Sequence, residues 1–231
     1  MPDYKRFAIY AAPPPGPLAD RAAEWLGWDP AIGRIKDHPR FPDLPRPLSE
    51  ITTGPGKYGF HATLKPPFRL TDDSNLTALK EDTERLASRL IPVRLDGLAL
   101  NRVGGFLALV PIGDTSALNH LASDVVRDLD SHRAALSESD HARYSKNAHT
   151  AMLLENLALW GYPRVMEAFR FHFTLTDRLP KSEQDAVKAT LAQYLLPLLP
   201  RPFTIDSLCL FAECADARFH ILARYPLGGR P

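Results

Sequence analysis

Two five-residue segments, FHATL at Phe60 to Leu64 and FHFTL at Phe171 to Leu175, place His61 and His172 111 residues apart (172 − 61), and the sequence around each repeats with it. The first copy reads FHATLKPPFRL, then a helical stretch over 74–90, then VRLDGLALNRVGGFLALVPIG. The second reads FHFTLTDRLP, a helical stretch over 182–196, then FTIDSLCLFAECADARFHILARYPLG. In each, the last part is two apolar or alternating runs joined by a turn, at 102–105 and at 213–218, which is the pattern of a hairpin. Ser74 or Asp73 is placed to cap the first helix, and Ser182 with Asp185 forms a capping box on the second. A unit of strand, helix and hairpin cannot bury its apolar face alone, so a duplication predicts two such units packed together.

The material between the copies is looser. A strand FAIYAAP precedes a helix over 18–26, and its counterpart FLALVPIG precedes a helix over 115–133 whose Leu121, Val125, Val126 and Leu129 share one face. A further helix is expected over 145–160, ending at the turn of Gly161 to Pro163. Residues 29–57 read as a long proline-punctuated loop, and a loop of that length predicts a flap over the cleft. The fold class expected is α+β: two pseudo-symmetric lobes, each an antiparallel sheet with helices on its outer side, forming a central cleft. The whole span 1–231 is expected to be one bilobal domain, its lobes defined by the repeats 58–112 and 169–227.

Side chains alternate across a strand, so His61 and Thr63 share a face, with Ala62 and Leu64 on the other. His172 and Thr174 share a face in the same way, backed by Phe173 and Leu175. With 8 histidines and 12 threonines in 231 residues, roughly 0.4 HxT matches arise by chance. Two that open the two copies of a repeat, both preceded by Phe and followed by Leu, are therefore a signal.

FHATLKPPF and FHFTLT resemble the paired signatures of the two-histidine phosphoesterase superfamily, over most of the chain. RFAIYAAPPPGPLADRAAEWLGWDP, YGFHATLKPPFRL and LALWGYPRVMEAFRFHFTLT resemble its branch of phosphonate metabolism proteins associated with carbon–phosphorus lyase operons. The resemblance implies a cleft between two lobes holding both motifs, no metal and no other cofactor. It implies His61 and His172 as the acid/base pair, with Thr63 and Thr174 on the phosphoryl oxygens. It also implies cyclic phosphodiesterase activity, with 5-phosphoribosyl 1,2-cyclic phosphate as the substrate to try first.

The chemistry suits those residues. Opening a cyclic phosphodiester needs one group to take a proton from water and another to protonate the departing oxygen, and two imidazoles can do both near neutral pH. Charge on the non-bridging oxygens calls for hydroxyl donors, reinforced by a cation such as Lys65 or Arg170. Tyr58 and Tyr162 flank the motifs and are candidates for stacking on, or hydrogen bonding to, a sugar or base. The six remaining histidines show no metal-ligand spacing and read as surface or satisfied residues.

Twenty-eight basic against 27 acidic side chains leave a formal charge of +1, too little to gather a long polyanion, so a small phosphorylated partner is expected over nucleic acid. Processing of RNA 2′,5′ or 2′,3′ ends and a non-catalytic phosphate-ester binding module are the competing readings. Cys209 and Cys214 lack any CxxC spacing and read as inert thiols. The apolar run in MPDYKRFAIYAAPPPG is too short for a signal peptide, and no stretch approaches a membrane span, so a cytoplasmic protein is expected.

Overall fold

A computed structural model describes residues 4–229. Met1 to Asp3, part of the stretch weighed above against a signal peptide, and the last two residues of the 1–231 span lie outside the described residues. The elements run β1 (Arg6–Ala11), α1 (Pro17–Leu26), β2 (Trp28–Asp29), β3 (Arg34–Ile35), α2 (Leu48–Ile51), β4 (Ala62–Phe68), α3 (Leu76–Arg89), β5 (Val93–Leu95), β6 (Gly97–Val103) and β7 (Phe106–Ile112). They continue with α4 (Ser116–Asp128), α5 (Glu138–Ser145), α6 (Ala151–Trp160), β8 (Phe173–Thr174), α7 (Lys181–Leu195), β9 (Phe203–Ile205), β10 (Ser207–Glu213) and β11 (Phe219–Pro226).

The fold is α+β. Seven strands form one antiparallel sheet in the order β11-β10-β1-β4-β8-β7-β6, in which the two motif strands β4 and β8 meet at the centre. Each hairpin therefore lies on the side of the other copy's motif strand. β6 and β7 extend from β8, whereas β10 and β11 extend through β1 from β4. A two-stranded ribbon, β5 with β9, ties the copies together again through Val93↔Ile205 and Leu95↔Phe203.

One face of the sheet is covered by helices. Phe7, Ile9 and Ala11 of β1, Ala62 and Leu64 of β4, and Phe173 of β8 join Trp25, Leu79, Leu121, Val125, Val187 and Leu191 from α1, α3, α4 and α7 in one apolar core. The opposite face carries a smaller cluster, Ala8, Tyr10, Cys209, Phe211 and Phe219. Alternation along β1 thus divides its residues between the helix-covered core and the cluster on the opposite face.

Several boundaries differ from the sequence reading. Asn75, not Ser74 or Asp73, caps α3 by accepting from the Ala78 N–H at 3.0 Å, because the Ser74 hydroxyl is engaged by His132 at 2.6 Å. The capping box on α7 does not form: α7 follows Pro180 with no side-chain cap, and Asp185 pairs with Arg102. The expected helix over 145–160 is two helices, because Thr150 caps α6 from the Leu153 N–H. The 115–133 helix ends at Asp128, and a 3-10 turn, Asp130–His132, completes it.

Residues 29–57 are not a free flap. Leu48 and Ile51 are buried, the Ile51 carbonyl accepts from Asp177 N at 2.7 Å, the Pro30 carbonyl accepts from Ile221 N at 2.8 Å, and Arg46 pairs with Glu183 at 2.8 Å. Apolar anchors and backbone pairing hold the segment against both halves. Among the described residues, no helix is long and apolar enough to cross a membrane.

Candidate active site

The register of the two central strands brings the motifs together. Ala62 of β4 is opposite Phe173 of β8 in an antiparallel pair, and both side chains are fully buried in the helix-covered core. Their flanking residues must point the other way, so His61, Thr63, His172 and Thr174 occupy one face. His61 falls opposite Thr174, and Thr63 opposite His172. The histidines are diagonal neighbours, with backbones about 7–8 Å apart. All four are half-buried.

Both imidazoles are held in the same way. His61 Nδ1 donates to the Gly59 carbonyl at 2.9 Å, and His172 Nδ1 donates to the Arg170 carbonyl at 2.8 Å. A carbonyl only accepts, so the proton sits on Nδ1 in each neutral ring and Nε2 is left as the basic atom. Matched second-neighbour carbonyls thus give both copies one tautomer. Gly59 adopts φ +73°, and a Cβ there would come within 2.5 Å of Pro30, so the carbonyl that orients His61 depends on glycine.

The surroundings differ between the two rings. Tyr10 lies opposite Thr63 across β1 and β4, and its ring packs on His61 with centroids 4.0 Å apart; Tyr58 lies 5.4 Å from His61. Burial under these rings, with a smaller contribution from His172, pushes the His61 imidazole down to about 4. His172 sits at a more open position, 5.7 Å from Phe106, beside a groove of about 380 Å³ lined by Val103, Val110, Thr115 and Asn119. A larger recess of about 550 Å³ is lined by prolines together with Ala11 and Phe173, whose side chains belong to the helix-covered core rather than to the motif face.

The weaker candidates separate clearly. Tyr58 reaches His61 and stacks on Phe219 at 4.7 Å. Tyr162 packs edge-on against Tyr144 at 5.1 Å, and burial raises its phenol. Lys65, expected among the phosphate-binding groups, is instead buried: its ammonium donates to Asp130 at 3.0 Å and to the Val126 carbonyl at 3.1 Å. A register shift in the β1–β4 ladder sets Lys65, rather than Leu64, opposite Ile9 and breaks the alternation that Thr63 begins. Arg170 is exposed, gives Nη1 to the carbonyls of Glu167 and Phe169, and holds His172 through its main-chain oxygen.

Tyr10, Gly59, Arg6 and Tyr144 were not singled out from the sequence. The period-2 pattern of RFAIYA puts Arg6, Ala8 and Tyr10 on one face, but only the sheet order shows that this face adjoins His61. His132 is a satisfied structural residue, accepting from Ser74 and donating from Nε2 to Asp82 at 2.9 Å. Among the described residues, no group of three or more His, Cys, Asp and Glu side chains is arranged to hold a metal ion.

Fold and site together define an α+β protein with a duplicated HxT motif joined across the centre of one antiparallel sheet. The chain belongs to the family described as Protein of unknown function (DUF1045), whose model matches residues 63–220. It is 33% identical over 235 residues to the ribose 1,5-bisphosphate phosphokinase PhnN of Janthinobacterium sp. (strain Marseille), covering 97% of this chain and 51% of that protein. It is 32% identical over 209 residues to the protein of the same name from Laribacter hongkongensis (strain HLHK9), covering 90% of this chain and 48% of that one. The chain thus spans about half the length of the curated relatives it matches. Among solved structures it is similar to E. coli LigT complexed with 3'-AMP, at 15% identity and a TM-score of 0.45 over 97% of this chain and 99% of that one. It is also similar to TT0787 of Thermus thermophilus, at 15% identity and a TM-score of 0.44 over 98% of this chain and 100% of that one.

Proposed function

We propose that the chain hydrolyses a cyclic phosphodiester on a small phosphorylated sugar, with 5-phosphoribosyl 1,2-cyclic phosphate as the leading substrate. One observation carries the reading: two imidazoles from different copies of the repeat share a face, each held at Nδ1 so that Nε2 is left for proton transfer. His61, with its imidazole held down to about 4, is neutral at pH 7 and takes the proton of the attacking water. His172, as imidazolium, gives its Nε2 proton to the departing sugar oxygen. The new bond joins water oxygen to phosphorus, the broken bond is the phosphorus–O2 ester, and the proton count balances across the two rings. Thr63 and Thr174 donate to the non-bridging oxygens as charge builds there.

The relatives' name supports this choice of substrate. Opening the cyclic ester at O2 leaves a phosphate on C1 and another on C5, which is ribose 1,5-bisphosphate, the compound in that name. The test is turnover of 5-phosphoribosyl 1,2-cyclic phosphate followed by phosphorus NMR, with the cyclic resonance expected to give way to a monoester. His61→Ala and His172→Ala are each expected to lower the rate by about 10²–10⁴-fold. Turnover unchanged from wild type in both variants removes the proposal.

A further inference from the structure

Arg6 stands on β1 on the same face as Tyr10, directly across the ladder from Glu213. Its Nε donates to Glu213 at 2.6 Å, and among the described residues neither Nη nitrogen has a hydrogen-bond partner, although the side chain is only 22% exposed. Two other enclosed arginines are more fully engaged. Arg133 gives Nε and Nη2 to Asp130 and the Leu159 carbonyl, and Arg224 gives both Nη atoms to the Ala12 and Pro13 carbonyls and Ser207. A guanidinium steered at Nε with its terminal fork free is set to grip an oxyanion by two charge-assisted bonds.

Its neighbours lead back to the motif. Arg6 lies over the Phe219 ring at 5.7 Å, Tyr58 stacks on Phe219 at 4.7 Å, and Tyr58 in turn lies 5.4 Å from His61. Tyr144 lines a common recess with Arg6. Among the described residues, the hydroxyls of Tyr10 and Tyr58 make no hydrogen bond, even though Tyr10 is 1% exposed. From Tyr10 to Arg6 the strand advances about 13 Å, and the Phe219 ring lies between them, 6.2 Å from Tyr10 and 5.7 Å from the Arg6 guanidinium.

We propose that Arg6, with Tyr58 and Tyr144 beside it, forms a second anion subsite that recognises a phosphate ester at the end of the substrate remote from the bond being broken. The subsite deepens the hydrolase reading and rests on it for the identity of the whole substrate. Binding of the remote phosphate can be read separately, with ribose 5-phosphate as the probe. Removing Arg6 alone would strand Glu213, so the working variant is Arg6→Met with Glu213→Gln, and Arg6→Lys keeps the charge while losing the fork.

By calorimetry, wild-type protein is expected to bind ribose 5-phosphate, the double variant to bind it at least about tenfold more weakly, and Arg6→Lys to fall between them. In turnover, wild type is expected to prefer 5-phosphoribosyl 1,2-cyclic phosphate over ribose 1,2-cyclic phosphate by about tenfold or more, and the double variant to lose that preference. Equal ribose 5-phosphate affinity in wild type and double variant, absence of binding to wild type, or a preference that survives in the variant overturns the subsite. If neither ester is turned over while ribose 5-phosphate binding still falls in the variant, the hydrolase reading fails and the subsite stands.

Discussion

His61 is held by two opposed influences: the Gly59 carbonyl favours its protonated ring, while burial under Tyr10 and Tyr58 disfavours the charge more strongly. The net depression has a direct test. In an NMR titration the His61 ring protons should move at a pH of about 4, and Tyr10→Ala, by admitting water, should carry that midpoint up towards the ordinary value of about 6.5. A midpoint in the same place in both proteins would show that burial is not the cause. The four HxT side chains were legible in the sequence because strand alternation fixes their common face. Tyr10 and Arg6 were not, because nothing local states that β1 lies against β4. Lys65 reads in the sequence only as a cation near the motif, and neither its burial nor the register shift beside it is written in the local sequence.

At the scale of elements, that shift in β4 accompanies an ion pair between the buried Lys65 and the half-buried Asp130. Asp130, from the turn after α4, accepts from Lys65 and from Arg133 at 2.8 Å. Asp130→Ala leaves the Lys65 ammonium without its counter-charge in the interior and should cost about 3–5 kcal/mol in chemical denaturation. Lys65→Met removes the charge itself and should cost less than about 1 kcal/mol or stabilise the protein. Burial holds the Lys65 ammonium down to about 8, so between that pH and the ordinary value near 10.5 the unfolded chain binds more protons than the folded one. Stability attributable to Lys65 therefore rises with pH across that window, by up to about 3 kcal/mol, and the rise should vanish in Lys65→Met. Helices α1, α3, α4 and α7 were readable from apolar periodicity, but their caps were not. Asn75 takes the α3 cap while Ser74 is drawn off to His132, and α7 is left without a side-chain cap while Asp185 pairs with Arg102.

For the whole molecule, the duplication was visible but its wiring was not. A repeat read along the chain suggests that each copy closes on itself, whereas the hairpin β6–β7 flanks β8, and β10–β11 reaches β4 only through β1. The sheet order and the β5–β9 ribbon make each copy incomplete without the other. Calorimetric unfolding is accordingly expected to show one transition, with van't Hoff and calorimetric enthalpies in agreement. Two resolved transitions would mean that the halves are energetically separate. The interleaving also sets an order on biosynthesis. While a ribosome is still extending the chain, β1 and β4 can pair, but the second histidine arrives with β8, and β1 keeps an open edge until β10 has emerged. A nascent product that ends before β8 therefore holds one imidazole with nothing opposite it, and the face that carries both motifs is complete only once the last strands have docked.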